Sequence, residues 1–240
     1  MSYPGGKGGS GVAQAIINQI PPHRVYIEAF LGSGVVMRMK RPASLSIGID
    51  ADADIVSRWV ANPAANDGAS WQLPPSSTVI CGDAISELVY REWAGDEFVY
   101  LDPPYLFDVR SSKAPIYKRE YGEVAEHLVL LSLIKTLPVN VAISGYWSDL
   151  YAQNLAGWRS ISFNTTDRAG NVKLEYLWMN YPEPTQLHDY RYLGRNYRER
   201  ERLAKMRRRW VARLAQMPQL ERLMLAAAIV EYGGTEAERQ

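Results

Sequence analysis

Asp102-Pro103-Pro104-Tyr105 sets a carboxylate, two fixed residues and an aromatic ring in succession. Each proline holds φ near about −65° and lacks an N–H donor. The result is a rigid bend. In it the Asp102 carboxylate and a neighbouring main-chain carbonyl face the same way, beside the Tyr105 ring. Two acceptors and a ring face suit a planar exocyclic –NH2 group, which has two donors to satisfy and a ring to stack. Asp102 and Tyr105 are candidate catalytic residues, framed by Pro103 and Pro104. The plain alternative is a rigid turn around a buried tyrosine.

A second group is Phe30-Leu31-Gly32-Ser33-Gly34, after an apolar strand-like run and before a helix-like one. Glycines at a strand-to-helix turn let backbone approach a ligand, and a helix start offers free N–H groups. The full dinucleotide pattern is absent, because Met37 stands where the third glycine belongs. An ordinary tight turn is the competing reading. Asp50 closes the next strand-like run, where a carboxylate can accept from both hydroxyls of a ribose. Asp52 follows and can serve as a helix cap, which leaves Asp50 free. Asp83 ends a third run. It can reach an adenine amino group or simply cap the helix after it.

These residues need elements to hold them at one edge. Short β-branched or aromatic runs span Arg24–Phe30, Leu45–Asp50, Thr78–Asp83, Glu97–Asp102 and Asn140–Gly145. Helical spacing fills Val35–Lys40, Ala53–Val60, Ala84–Trp93 and Val124–Leu137 between them. Such alternation predicts a parallel sheet with helices on both faces. Arg159–Asn164 and Leu174–Asn180 are separated by too few residues for a helical crossover, so they predict an antiparallel hairpin. The fold class expected is α/β: a doubly wound, mostly parallel sheet with one antiparallel edge strand. A basic helical appendage follows it.

That appendage begins after Pro182-Glu183-Pro184, giving expected domains of 1–184 and 185–240. Leu203, Met206, Trp210, Leu214 and Met217 recur at helical intervals. Pro218 interrupts the pattern, a second helix covers Leu220–Tyr232, and Gly233-Gly234 is expected to stop it. The chain has 27 basic and 26 acidic residues, but ten Lys/Arg against three Asp/Glu fall between His188 and Ala215. A segregated basic segment is an electrostatic footprint for a polyanion. Intrahelical ion pairs on a solvated face also explain Arg198–Arg202, but poorly explain Arg207-Arg208-Arg209.

Composition excludes several classes. The 240 residues are 47% apolar and 22% charged, too apolar for a disordered chain. A lone Cys81 excludes a disulfide framework and a multi-cysteine metal site, and His23, His127 and His188 are too scattered for a histidine centre. No metal is expected. No apolar run approaches the roughly 18–20 residues that span a bilayer. MSYPGGKGGSG carries no apolar signal region, so the expected compartment is the cytoplasm, with no membrane partner.

Taken together, the motifs resemble the S-adenosylmethionine-dependent DNA adenine-N6 methyltransferases of the Dam-like class, with the glycine motif preceding Asp-Pro-Pro-Tyr. The matching residues are Tyr3-Pro4-Gly5-Gly6-Lys7, Glu28–Gly34, Asp50, Asp83, Asp102–Tyr105 and Ser144-Gly145-Tyr146. The likeness covers about residues 3–182. It implies a seven-stranded sheet whose last two strands form the reversed hairpin. It also implies S-adenosylmethionine as cofactor, with Phe30, Gly32, Ser33 and Gly34 lining its pocket. Asp50 would bind the ribose and Asp83 the adenine of that cofactor, with Tyr3 and Lys7 near cofactor and target base. The target would be an adenine flipped out of duplex DNA and stacked on Tyr105.

Asp102 and the Pro103 carbonyl would each accept one N–H of the amine. That localises the nitrogen lone pair for in-line attack on the methyl, by positioning and electrostatics. Many relatives carry a recognition insert before Asp-Pro-Pro-Tyr, whereas only the 18 residues Ala84–Leu101 separate Asp83 from Asp102 here. Nucleic-acid contact is therefore expected from Arg110, Lys113, Lys118 and Arg119, or from Arg207, Arg208 and Arg209. Two other readings stay open. One is an RNA adenine-N6 methyltransferase with the same site; the other is a non-catalytic DNA-binding protein with a relic of the fold.

Overall fold

A computed structural model describes residues 7, 11–61, 71–107, 121–166 and 171–237. Two compact units divide after Tyr190, one covering Met1–Tyr190 and the other Arg191–Gln240. In the first, α1 (Val12–Ile17) precedes β1 (Val25–Ala29), α2 (Val35–Met39), β2 (Leu45–Asp50), α3 (Ala53–Val60) and β3 (Ser77–Cys81). Then come α4 (Ala84–Val89), β4 (Glu97–Leu101), α5 (Val124–Ile134), β5 (Asn140–Tyr146) and α6 (Asp149–Asn154), followed by β6 (Arg159–Thr166) and β7 (Val172–Met179).

The seven strands lie in the order β3-β2-β1-β4-β5-β7-β6. The pairings β2–β3, β1–β2, β1–β4 and β4–β5 are parallel, while β7 runs antiparallel to both β5 and β6. This is the doubly wound α/β sheet with a reversed hairpin expected from the sequence. Successive strands leave β1 in opposite directions. A crevice therefore opens beyond the carboxyl ends of β1 and β4, where ligands bind in such sheets.

Helix starts follow local chemistry. Asp52, Asp83 and Ser148 cap α3, α4 and α6, each accepting a backbone N–H within the first turn. The Glu126 carboxylate reaches back to the Glu123 N–H at the start of α5. Helix α4 ends at Val89 and α5 at Ile134, both short of the sequence expectation. Helices α1 and α6 have six residues each, fewer than two turns, too short for a periodicity to register.

Strand alternation sends side chains to two faces. Ile27, Ala29, Ile47, Ile49, Val99, Leu101, Val141 and Ile143 form one buried apolar surface with α4, α5 and α6. The opposite side chains include Tyr26, Glu28, Phe98, Tyr100 and Ser144, all buried. Glu28 accepts from the Tyr26 hydroxyl at 2.8 Å and the Met37 N–H at 2.9 Å, and Tyr100 meets the Ser144 hydroxyl at 2.9 Å.

The sheet unit runs on past Pro184 to Tyr190. The His188 N–H donates to the Ile20 carbonyl, Asp189 accepts from the Arg41 N–H, and the His188 ring stacks on His23 at 3.9 Å.

The second unit comprises α7 (Tyr197–Gln216) and α8 (Gln219–Ala237). Asn196 caps α7 by accepting from the Glu199 N–H. Met217, extended ahead of Pro218, ends it. Gly233-Gly234 does not stop α8, contrary to expectation. A helical glycine costs about 1 kcal/mol relative to alanine, which weakens a helix without breaking it. No proline follows to force a stop. No described helix is long and apolar enough to cross a membrane.

Candidate active site

Strand register brings the sequence motifs to one edge. Ala29 of β1 pairs with Leu101 of β4, so Phe30 and Asp102 emerge side by side. Asp50 ends β2, opposite Cys81 of β3. Because β7 is reversed, its early residues come to the same edge, and Glu175 pairs with Tyr146 at the end of β5.

Asp102 keeps 20% of its side-chain surface exposed. Lys7 donates to Asp102 Oδ1 at 2.7 Å and to the Tyr105 hydroxyl at 2.6 Å. Its Nζ also lies 2.8 Å from Glu175 Oε1. That last contact is an ion pair by distance and not a directed hydrogen bond. The Lys7 carbonyl anchors this segment by accepting the Ala13 N–H. The Tyr105 ring packs 4.4 Å from that of Tyr146.

Burial sets the electrostatics. It pushes the Asp102 carboxyl up to about 6; Lys7 opposes that rise and Glu175 adds to it. Burial alone would lower the Lys7 ammonium. Asp102, Glu175 and Tyr100 outweigh it and hold Lys7 well above the ordinary lysine range. Burial, then Asp102 and Glu175, raise the Tyr105 phenol well above its usual value. The cluster therefore holds a firmly charged ammonium beside a carboxylate whose burial favours its protonated form.

The glycine loop is held in an uncommon backbone conformation. Phe30, Gly32 and Gly34 have φ of 62°, 48° and 53°. For Phe30 this left-handed region carries strain of about 1–3 kcal/mol. The Gly32 N–H donates to Asp50 Oδ2 at 2.8 Å, and the Asp52 N–H to Asp50 Oδ1 at 2.9 Å. Each oxygen retains acceptor capacity, as a carboxylate has about four lone-pair directions. Burial raises the Asp50 carboxyl above its ordinary value, against the backbone N–H groups of Asp52, Gly32 and Ala51. Gly34 also has a packing role: a Cβ there would sit 2.5 Å from the Trp59 ring. Ser33 is buried within the loop, and its carbonyl accepts from Arg38 Nε.

Asp83 Oδ1 caps α4, accepting from the Ser86 N–H at 3.0 Å and the Ser86 hydroxyl at 3.1 Å. Both roles weighed for this residue thus start from a carboxylate already used as a cap. Tyr3, Arg110, Lys113, Lys118 and Arg119 lie outside the described residues. Among the described residues, no group of three His, Cys, Asp or Glu could hold a metal ion.

In the second unit, Arg202, Lys205, Arg208 and Arg209 line one groove on α7. Arg202, Lys205 and Arg209 stand at i, i+3 and i+7, one helix face. Arg207 lies about 140° around the helix from Arg202. The Arg207–Arg209 run is therefore split, and Arg202 and Lys205 are the members that sequence reading missed. Glu175 was missed as well. Its signal was its phase, two and four residues before the buried Leu177 and Met179.

No protein-family model matches the chain, and no curated protein matches it. Among solved structures, it is similar to precorrin 8w decarboxylase of Methanobacterium thermoautotrophicum, with 14% identity, 75% of this chain and 94% of that one covered, and a TM-score of 0.45. It is also similar to the 23S rRNA methyltransferase ErmE, with 12% identity, 81% and 73% covered, and a TM-score of 0.41. For M. capricolum TrmK in complex with S-adenosyl-homocysteine, the values are 9%, 90%, 92% and 0.43. Likenesses at this level assign neither a family nor an activity to this chain.

Proposed function

We propose that this chain is an S-adenosylmethionine-dependent methyltransferase acting on the N6 amine of an adenine flipped out of duplex DNA. One observation carries the reading: a nitrogen donor, Lys7 Nζ, sits 2.7 Å from the part-exposed Asp102 carboxylate and 2.6 Å from the Tyr105 hydroxyl. The corner thus binds an N–H donor at the place where an exocyclic amine would be held. Asp102 accepts one amine N–H and the Pro103 carbonyl the other, and the Tyr105 ring stacks on the base.

The cofactor supplies an electrophilic methyl on a sulfonium. The residues at the carboxyl edge fit it. Asp50 has acceptor capacity left for two ribose hydroxyls, and the left-handed turns at Phe30, Gly32 and Gly34 leave backbone beside it. Asp83 serves the adenine ring. The exposed cations Arg202, Lys205, Arg208 and Arg209 serve phosphates of the duplex.

Incubation with methyl-labelled cofactor and either duplex DNA or RNA tests the reading. Label is expected in DNA, on adenine N6. Label only in RNA replaces the substrate, and label in neither removes the activity. In the same preparation, Arg202→Gln, Lys205→Gln and Arg209→Gln together should weaken DNA binding. They should also flatten its log–log salt slope by about 3, close to one per phosphate contact. An unchanged slope would return α7 to a solvated face.

A further inference from the structure

Glu175 is 2% exposed and sits on the reversed strand, where no motif assigned it a role. Its Oε1 has no directed hydrogen bond, although Lys7 Nζ is 2.8 Å away. The same ammonium directs its hydrogen bonds to Asp102 and Tyr105. One buried cation thus stands between two carboxylates, fully engaged with one and only in charge contact with the other. A buried charge left without a partner is costly, commonly several kcal/mol. Lys7 therefore cannot simply leave Asp102 unless another acceptor waits for it.

We propose that Glu175 is a positioning residue that takes over the Lys7 ammonium when Asp102 turns to the target amine. The inference rests on the methyl-transfer reading. Without substrate, Lys7 occupies Asp102 Oδ1, the oxygen that faces the Tyr105 hydroxyl on the side where the base would stack. When the amine arrives, Lys7 shifts its donation to Glu175, and Asp102 becomes free to accept.

The charges balance throughout. Lys7, Asp102 and Glu175 together carry one net negative charge, which complements the positive sulfonium of the bound cofactor. In the transfer, the nitrogen lone pair forms the N–C bond. The S–C bond breaks with its electron pair going to sulfur. The proton released by nitrogen passes to Asp102. A neutral thioether, a neutral amine, a protonated Asp102 and a Glu175–Lys7 ion pair remain.

Steady-state kinetics of Glu175→Gln, of Lys7→Met and of the two combined test this. In Glu175→Gln, Lys7 has no alternative carboxylate and competes with the amine. KM for the DNA target should rise by about tenfold or more, the weight of a hydrogen bond to a charged group. With the competing ammonium removed, the double variant should be no worse than Lys7→Met alone, because no handover is left to disrupt. The Glu175→Asp variant keeps the charge and should give an intermediate KM, also if Glu175→Gln does not fold. A merely structural Glu175 would lower the melting temperature of each variant and leave KM for DNA unmoved. Unchanged KM in Glu175→Gln or Glu175→Asp, or a double variant worse than Lys7→Met alone, overturns the proposal alone. No transfer by the wild-type protein overturns the methyl-transfer reading and this proposal with it.

Discussion

The two faces of the sheet are built on opposite terms. Under α4, α5 and α6 the strands present apolar side chains, aliphatic apart from Tyr176 and Trp178 of β7, and the layer is sealed by Leu130, Leu131 and Ile134. The other face buries Tyr26, Glu28, Tyr100, Ser144 and Glu175; the first four are tied to each other or to backbone, and Glu175 meets Lys7 as an ion pair. Asp102 follows Tyr100 in the same strand phase and so continues this second face. The aliphatic layer holds the sheet together. The polar layer feels the group at its edge: the Asp102 carboxylate adds to the upward shifts that burial imposes on Tyr26, Glu28 and Tyr100.

Three substitutions can break or sharpen this contrast. The largest effect belongs to Asp102→Ala, on the polar side. Methyl transfer should fall by about a thousandfold or more, as when an electrostatic contact to the reacting group is removed. Cofactor affinity should stay within about tenfold, or 1.4 kcal/mol. Turnover near wild type in a labelled-methyl assay would take Asp102 out of the chemistry.

Leu130→Ala, on the aliphatic side, should cost about 2–5 kcal/mol of stability in urea unfolding. It should leave KM for DNA as it was, because Leu130 packs within the apolar cluster. A matching shift in KM would mean that the faces are not separable.

Glu28→Gln should act through pH. Burial raises the Glu28 carboxyl from 4.5 to about 7, against its bonds from Tyr26 and Met37. The folded protein then holds this proton more tightly than the unfolded chain. Stability is lost as pH rises from the unfolded value through about 7. Melting temperatures at pH 5 and pH 8 should differ less in the variant than in wild type. An identical difference would move that proton elsewhere.

Much of this was legible in the sequence. Leu45–Asp50 and Ala53–Val60 form with the expected limits, because alternation and an Asp cap mark both ends. The four strand ends converge because doubly wound connections leave no other arrangement for them. Other features depend on distance in space. Lys7 and Asp102 are 95 positions apart, and nothing local announces their pairing. Glu175 is an acidic residue in a strand that reads as half-exposed, and only its phase with Leu177 and Met179 marks it as inward. Gly233-Gly234 misled because propensity is a sum over a helix, and a favourable flank carried it past two weak positions.

The reversed strand has a further consequence for how this chain can change. Side chains in a strand alternate sides, so a one-residue slip of β7 against β5 would set Leu174 or Tyr176 opposite Tyr146 in place of Glu175. A two-residue slip restores the facing but sets Lys173 or Leu177 there, so this one register keeps an anion facing the ammonium. Glu175 lies in the first half of β7, which follows the β6–β7 connection, so evolutionary drift in that connection is coupled to chemistry at the same edge of the sheet.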